Sequence, residues 1–191
     1  MPPDPADPQD GNPVLPLSDA DWPPEIADML DGFAGRLNVY RTMAHHPALL
    51  RAWADLREHV VNRSTLGRTL LEVVILRTGH RLGSSYEWAQ HVERARQCGL
   101  DDARILSFRG PLAAMAETDA LLCRAVDELF ETARLSAATR DALRERLGLQ
   151  AVFDLMATVG FYSTLGFILN SFGTPLDADI RARLEARPLA P

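Results

Sequence analysis

Three polar residues whose side chains could transfer protons lie close together in one short stretch of the chain. Ser84, Glu87 and His91 are spaced i, i+3 and i+7, so on a helix they share one face. A carboxylate four residues before a histidine can fix the tautomer of its imidazole and raise the imidazole pKa, as in many acid–base pairs. The spacing therefore indicates acid–base chemistry, with Tyr86 and Trp88 as aromatic neighbours that could shape an apolar wall.

Each of these residues also has a structural interpretation. His91 could be a half-buried histidine bonded to a backbone carbonyl, and the two aromatic rings could belong to the hydrophobic core. Glu87 and His91 could also be two ligands of a metal ion, but carboxylate-bridged metal sites need a second such pair from other helices. Glu58 and His59, the nearest candidates elsewhere, do not have that spacing, so we predict no metal site.

A second carboxylate, Glu72, lies within the apolar run 68–76 that precedes this stretch. A carboxylate buried in such a run is costly unless it is paired or hydrogen-bonded. Glu72 could instead lie on the surface and pair with Arg68, four residues earlier, in a solvated contact of little energetic value. If it is buried, it would add a second carboxylate to a charged cluster around His91.

The elements that must position these residues are predicted to be helices, which makes the class all-α. Residues 1–17 contain six prolines and are predicted to form a loose N-terminal arm, while residues 18–191 are predicted to form one helical domain. The run 68–78 favours a buried helix, with a strand as the competing interpretation because it is rich in β-branched residues. Strand-like alternation is almost missing elsewhere.

Periodicity and capping residues give the approximate bounds of the helices. Gly79 and Gly83 are expected to bracket a turn before the helix that Ser84 or Ser85 caps. The last long helix is apolar nearly all the way round, which is typical of deep burial in the domain or at a subunit interface. The predicted ranges are 24–33, 38–44, 47–60, 68–78, 85–97, 101–108, 113–133, 136–147 and 150–170.

Composition narrows the possible partners. A formal net charge of −6 makes nucleic acid an unexpected partner. No apolar run is judged long enough to span a bilayer and the N-terminus lacks a signal-like basic and apolar region, so we expect no membrane association and a cytoplasmic location.

Cys98 and Cys123 form no CxxC pair and are expected to be buried, reduced thiols. Without a phosphate loop, dinucleotide fingerprint or zinc spacing, no cofactor is predicted.

The chain resembles the carboxymuconolactone decarboxylase family, within the alkylhydroperoxidase D-like superfamily. The resemblance covers most of the chain and implies a single-domain helical bundle of the alkylhydroperoxidase D-like type. The core motifs that carry it are Leu70-Leu71-Glu72, Ile75-Leu76-Arg77, Tyr86-Glu87-Trp88, His91, Ala95 and Gly99-Leu100. Matching segments outside this core are Pro13–Leu17, Asn38, His46–Leu50, Trp53, Tyr162, Leu169–Gly173 and Leu176-Asp177.

Peroxidase members of the superfamily carry a glutamate, a CxxC pair and then a histidine. The glutamate corresponds to Glu72 and the histidine to His91, while the two cysteine positions fall on Ser84 and Glu87. Peroxide reduction needs one thiolate to attack and a second thiol to form the disulfide, and neither serine nor glutamate does this. The resemblance therefore leaves an alkylhydroperoxidase-type antioxidant as the less favoured function.

The decarboxylase branch implies a cofactor-free lyase or isomerase that acts on a small carboxylate or lactone. In this hypothesis His91 is the general acid or base, Glu87 orients it or transfers a proton directly, and Glu72 completes the charged cluster. Ser84, Tyr86 and Trp88 would contact the substrate.

The sequence leaves three points open: the cation for an anionic substrate, the choice between an enzyme and a binding protein, and the oligomeric state. Arg77 and Arg81 are near in sequence and could supply the cation that an anionic substrate needs. The alternative to an enzyme is a non-catalytic helical oligomer or ligand-binding protein. The apolar last helix and the superfamily together imply a homo-oligomer, either a dimer, a trimer or a hexamer.

Overall fold

The computed structural model describes residues 14–190, and within that range every regular element is helical, with no strand. Most of the arm predicted for residues 1–17 lies outside the described residues. The helices are α1 (Asn38–Met43), α2 (Pro47–Arg57), α3 (Gly67–Leu82), α4 (Ser85–Gln97), α5 (Asp102–Ser107), α6 (Glu117–Thr132), α7 (Ala137–Leu147), α8 (Leu149–Phe172) and α9 (Ala178–Ala186). Short 3₁₀ turns occupy Pro24–Met29, Ala34–Arg36 and Leu112–Ala114, and a π-helical segment, Glu58–Arg63, extends α2.

Helix α3 lies at the centre of the fold and packs against α4, α6 and α8. Its run of Val73, Val74, Ile75 and Leu76 is fully buried on all sides. A segment that contacts helices all round needs apolar residues at consecutive positions, which explains why its sequence also looked like a strand. The all-α interpretation of this run is confirmed.

The turn between α3 and α4 sets how closely the two helices approach. Gly83 ends α3 with φ = 63°, a left-handed conformation that glycine adopts without strain, and the Ser84 hydroxyl caps α4. Gly79 was expected in this turn but lies within α3, where a Cβ atom would be 3.4 Å from the Cβ of Glu87. A Cβ atom at position 79 would therefore be in van der Waals contact with Glu87, which shows how closely α3 approaches the first turn of α4.

Two of the predicted helix starts are wrong. The segment after Pro23 forms only a 3₁₀ turn, because Ile26 leaves the helical region at φ = −127° and ψ = 27°. Helix α6 begins at Glu117 and not near residue 113, because Ala116 is extended with ψ = 151°. In both places the helix-forming sequence is interrupted by a backbone conformation that the sequence pattern did not reveal.

Helix α8 is half core and half surface. It has 24 residues and is long and apolar enough to cross a membrane by length and composition, although 56% of its most apolar window is buried inside the fold. The prediction that no apolar run has this length is therefore wrong. Its outward side exposes Phe153 and Phe167, which are 64% and 60% accessible.

Candidate functional site

Helices α3 and α4 bring a histidine and two carboxylates together in the interior. Glu87, His91 and Arg94 occupy i, i+4 and i+7 on α4 and so share one face. Glu72 projects toward them from α3. Glu72, Glu87 and His91 are all buried, and Arg94 is half-buried.

Glu72 is the residue that orients His91. Its Oε2 atom lies 2.7 Å from Nδ1 of the imidazole, whereas Oε2 of Glu87 lies 3.6 Å from Nε2, beyond hydrogen-bond range. The surface pairing of Glu72 with Arg68 and the backbone partner considered for His91 are therefore both wrong. The orienting role that the sequence suggested for Glu87 belongs to the carboxylate on the neighbouring helix.

Burial determines the charge of His91. It lowers the imidazole pKa and outweighs the opposing effect of the Glu72 carboxylate. The expected rise in this pKa is therefore not found. In the neutral ring, the hydrogen bond to Glu72 requires the proton on Nδ1, which leaves the Nε2 lone pair facing Glu87.

Among the described carboxyl groups, Glu87 has the pKa that its surroundings shift most strongly. Burial raises its pKa to about 8; Glu72 contributes to the rise and Arg94 opposes it. Its Oε1 atom is buried and has no hydrogen-bond partner within residues 14–190. At neutral pH Glu87 is therefore a protonated acid that faces a basic nitrogen, and the cluster contains one proton donor and one proton acceptor.

A small cavity of about 20 Å³ opens beside this pair. That volume is close to the space one water molecule requires, so a larger ligand enters only if lining side chains move. Glu72 is not part of the lining because it lies behind His91. The lining residues are Leu37, Val39, Tyr40, Tyr86, Glu87, Gln90, His91, Arg94, Tyr162 and Leu165.

Two tyrosines that sequence reasoning did not assign to the site complete its wall. The Tyr162 ring, from α8, packs edge-on against the His91 ring with centroids 4.9 Å apart. Burial raises the pKa of Tyr40 to about 12 and also raises that of Tyr162, so both phenols stay neutral at pH 7. Nothing in the local sequence of α1 or α8 points to these roles, because both helices approach α4 only in the tertiary structure.

Tyr86 lines the cavity, but its hydroxyl group is engaged elsewhere. It donates to Asp177, which also accepts from the amide of Gln90 at 2.5 Å and from the backbone N–H of Asn38 at 2.9 Å. This buried network fixes the segment before α9 against α1 and α4. Tyr86 therefore offers its ring, and not its hydroxyl group, to the cavity.

The two remaining candidates for substrate contact do not line the cavity. The Ser84 hydroxyl accepts a hydrogen bond from the backbone N–H of Glu87 as the cap of α4. The Trp88 ring is buried beneath the guanidinium of Arg109, which lies 3.8 Å from the ring centroid. Their proposed contacts with a substrate remain predictions that the cavity geometry does not support.

Arg77 and Arg81 do not face the cavity either. Arg77 donates to both carboxylate oxygens of Asp127 on α6, at 2.9 Å and 2.6 Å, and to the backbone carbonyl of Phe108. Arg81 lies 3.3 Å from Glu131 on the same helix. The cation that lines the cavity is Arg94, one turn after His91, and the i+3 spacing could have identified it.

Neither metal binding nor thiol chemistry is evident around this cluster. Within the described part of the chain, no three His, Cys, Asp or Glu side chains form a group that could hold a metal ion. Both cysteines are free, and burial raises the pKa of Cys98 and raises that of Cys123 to about 12. Thiolates are therefore scarce at neutral pH at both positions.

A larger groove, of about 570 Å³, lies on the surface between α6 and α7. Its charged residues are ordinary surface pairs, such as Arg146 with Glu117 at 2.6 Å. It contains no buried titratable cluster, so its size does not make it the better candidate.

Residues 47–131, which include Glu72, Glu87 and His91, match the family model described as the carboxymuconolactone decarboxylase family. No curated protein sequence gives a significant match. The fold is similar to that of a cysteine-to-alanine variant of the debrominase Bmp8 in complex with 2,3,4-tribromopyrrole, with a TM-score of 0.71 and 16% identity over 93% of this chain and 98% of that one.

Two uncharacterised peroxidase-related proteins share the fold as well. The protein from Silicibacter sp. TM1040 has a TM-score of 0.73 and 14% identity over 90% of this chain and 96% of that one. The protein from Ralstonia eutropha JMP134, described as an alkylhydroperoxidase AhpD core, has a TM-score of 0.69 and 16% identity over 89% and 96%. At these identities the likeness establishes the all-helical fold and not the reaction.

Proposed function

We propose, from the premise that residues 47–131 belong to the carboxymuconolactone decarboxylase family, that this protein is a cofactor-free lyase or isomerase of a small carboxylate or lactone. The observation that carries the proposal is a buried cluster beside a cavity, in which the His91 ring lies between the carboxyl groups of Glu72 and Glu87. The family includes enzymes, and groups with perturbed pKa values that meet at a cavity are typical of active sites.

The proton-transfer roles follow from the protonation states of the cluster. Neutral His91 presents Nε2 as a base, and Glu72 stabilises the imidazolium that forms when this atom takes a proton from carbon. Glu87, protonated below its pKa of about 8, is the acid that returns a proton to the substrate. General acid–base catalysis of this kind contributes about 10²- to 10⁴-fold.

Both candidate reactions use Glu87 as the acid, and the isomerisation also uses His91 as the base. In an isomerisation, Nε2 of His91 removes a proton from the carbon next to a carbonyl group while Glu87 protonates the resulting enolate. In a decarboxylation, carbon dioxide leaves with cleavage of the C–C bond, and the Glu87 carboxyl protonates the carbanion that remains. Tyr40 and Tyr162 are neutral donors that could stabilise the enolate oxygen.

Thiol-dependent reactions are the less favoured enzyme class. The debrominase with the similar fold was crystallised as a cysteine variant, and this chain has Ser84 and Glu87 where superfamily peroxidases carry their cysteines. Cys98 and Cys123 have raised pKa values and do not line the cavity. A redox reaction would therefore need a thiol that the site does not present.

The test is turnover on a panel of small lactones and carboxylates by the wild type and by His91→Asn, Glu72→Gln and Glu87→Gln. We expect His91→Asn and Glu87→Gln each to lower kcat by 10²- to 10⁴-fold, since each removes one proton-transfer group. Glu72→Gln should also lower kcat strongly, because an amide cannot stabilise an imidazolium and can hold the imidazole in the wrong tautomer.

Glu185→Gln on the exposed side of α9 is the matched control, because it makes the same carboxyl-to-amide change away from the cavity. It should leave kcat unchanged. Full activity of His91→Asn on any substrate found would contradict the assigned roles. Absence of turnover on the whole panel would favour the alternative, a non-catalytic ligand-binding protein.

A further inference from the structure

Arg94 differs from three other arginines that are at least partly buried in this protein. Arg77 is paired with Asp127, Arg96 with Asp102 and Glu93, and Arg104 with Asp119. The guanidinium of Arg94 has no hydrogen-bond or ion-pair partner within residues 14–190, although it lines the cavity. Arginine keeps its charge under all ordinary conditions, so this half-buried guanidinium offers free hydrogen-bond donors to an anion in the cavity.

The nearest carboxylates do not neutralise Arg94. Glu72 is bonded to His91, at 2.7 Å, and is separated from the cavity by that ring. Glu87, on the same face of α4, makes no contact with the guanidinium within ion-pair distance, and its own Oε1 atom lacks a partner. An unpartnered cation and an unpartnered carboxyl group therefore line the same cavity.

A second guanidinium lies nearby without a carboxylate partner. Arg57, at the end of α2, stacks over the Phe33 ring at 4.2 Å and lies 5.8 Å from the centroid of Tyr40, which lines the cavity. Its Nε atom is buried and has no hydrogen-bond partner in the described range. Arg57 therefore adds a second positive charge near the cavity, while Glu72, bonded to His91, and Asp177, bonded to Tyr86 and Gln90, are the carboxylates around it.

We propose that Arg94 binds the anionic group of the substrate and makes this site selective for small carboxylates. A carboxylate accepts two parallel hydrogen bonds from one guanidinium, and this geometry fixes its orientation as well as its position. Held one helical turn from His91, such a ligand would place its adjacent carbon atoms beside the pair formed by Nε2 of His91 and the Glu87 carboxyl. The inference rests on the proposed function, because it assumes that the cavity is the place where substrate binds.

The test is a protein-observed NMR titration at pH 6.5 with acetate, butyrate and benzoate, each compared with its neutral primary amide. We expect the carboxylates to shift the Arg94 Nε–H resonance and resonances of α4, with affinities at least tenfold above those of the amides. Arg94→Met should lower carboxylate affinity by about 10- to 100-fold, as expected for loss of a charge-assisted bidentate pair. Arg94→Lys should recover part of this affinity, since lysine restores the positive charge but not the paired N–H donors of a guanidinium.

Arg124→Met is the matched control, because it removes the same charge from an exposed position on α6. It should bind the carboxylates as the wild type does, and thermal melts of both methionine variants check that they fold. Equal binding of acids and amides by the wild type, or unchanged carboxylate binding by folded Arg94→Met, would overturn the proposal.

A second variant separates this inference from the proposed function. His91→Asn should retain carboxylate binding while losing turnover, because Arg94 and not the imidazole holds the anion. Selective carboxylate binding without turnover on the substrate panel would contradict the proposed function and support the anion site at Arg94. Turnover that is unaffected by Arg94→Met would support the proposed function and contradict the anion site.

Discussion

The protonated state of Glu87 links the chemistry of the site to the stability of the fold. Six titratable or charged groups lie near this carboxyl group: Glu72 on α3, Tyr86, His91 and Arg94 on α4, Tyr40 on α1 and Tyr162 on α8. Only Arg94 favours the ionised form strongly, and burial outweighs it. The same desolvation that prepares a proton donor for catalysis therefore also makes ionisation of this group unfavourable for folding.

We expect the stability of the protein to fall as pH rises, because the Glu87 pKa is about 8 in the folded state and 4.5 ordinarily. The folded state binds the extra proton between these values, so its stabilising effect is complete below pH 4.5 and is lost as pH rises through about 8. One pKa unit corresponds to about 1.4 kcal/mol, so the loss amounts to several kcal/mol. Urea denaturation at a series of pH values measures it.

The variant Glu87→Gln isolates this contribution, since glutamine stays neutral throughout. The difference in unfolding free energy between the wild type and Glu87→Gln should change steadily between pH 5 and pH 8.5, to the disadvantage of the wild type. Glu185→Gln should show no such change, because that side chain is exposed. A constant difference between the wild type and Glu87→Gln across this range would contradict the raised pKa.

The sequence predicted the cluster of Glu72, Glu87 and His91 but did not indicate that Glu72, and not Glu87, is hydrogen-bonded to the imidazole. Spacing along α4 shows that Glu87 and His91 share a face, and this favours their pairing. It cannot show that α3 approaches within 2.7 Å of the imidazole from the other side. The same spacing along α4 could have identified Arg94. Tyr40 and Tyr162 lie on helices distant in sequence, and only the tertiary structure shows that they line the cavity.

At the level of elements, Asp154 joins the segment before α3 to α8. Its Oδ2 atom accepts hydrogen bonds from the backbone N–H and the hydroxyl of Thr65, at 2.6 Å and 2.7 Å, and Oδ1 lies 2.7 Å from Nε2 of His59. These bonds outweigh burial and lower the Asp154 pKa. The carboxylate thus ends the π-helical segment and fixes the start of α3, the helix that carries Glu72.

Replacing Asp154 with alanine should destabilise the protein by about 1–3 kcal/mol, because it leaves the half-buried N–H of Thr65 without its acceptor. The wild-type contribution is present above the ordinary Asp pKa of 3.8 and lost as pH falls below it. Thermal or urea unfolding of Asp154→Ala at pH 7 measures the effect. The control, Asp179→Ala, removes an exposed partner of Arg183 and should change stability by less than about 0.5 kcal/mol. Equal stability of the two variants would show that Asp154 does not hold these elements together.

Helix identity was easier to predict than helix ends. Long apolar-periodic segments such as α3 and α8 were recognised because their burial dictates their composition. The start of α6 and the 3₁₀ turn at Pro24–Met29 depend on single backbone angles at Ala116 and Ile26. Such angles are set by packing between elements, which the local sequence does not encode.

For the molecule as a whole, the outward side of α8 raises the question of what covers it. Leu149, Phe153, Met156 and Phe167 follow helical spacing and are 52%, 64%, 37% and 60% accessible. A stripe of exposed apolar side chains on a folded surface, here interrupted by Gly160, Ser163 and Thr164, is typical of an interaction site. Because the opposite side of the same helix is core, the stripe suits association with another folded protein better than complete insertion into a bilayer.

We expect the protein to form a homo-oligomer through this stripe and to dissociate when charge is introduced into it. Size-exclusion chromatography with light scattering should show a dimer, trimer or hexamer for the wild type and smaller species for Phe153→Glu combined with Phe167→Glu. Both side chains are more than half exposed, so the substitutions should leave the core intact, which circular dichroism checks. Leu56→Glu, at an exposed apolar residue of α2, is the control and should keep the wild-type mass.

A monomeric wild type would contradict oligomerisation. Sedimentation of the wild type, but not of the double variant, with phosphatidylcholine vesicles would assign the stripe to a lipid surface instead.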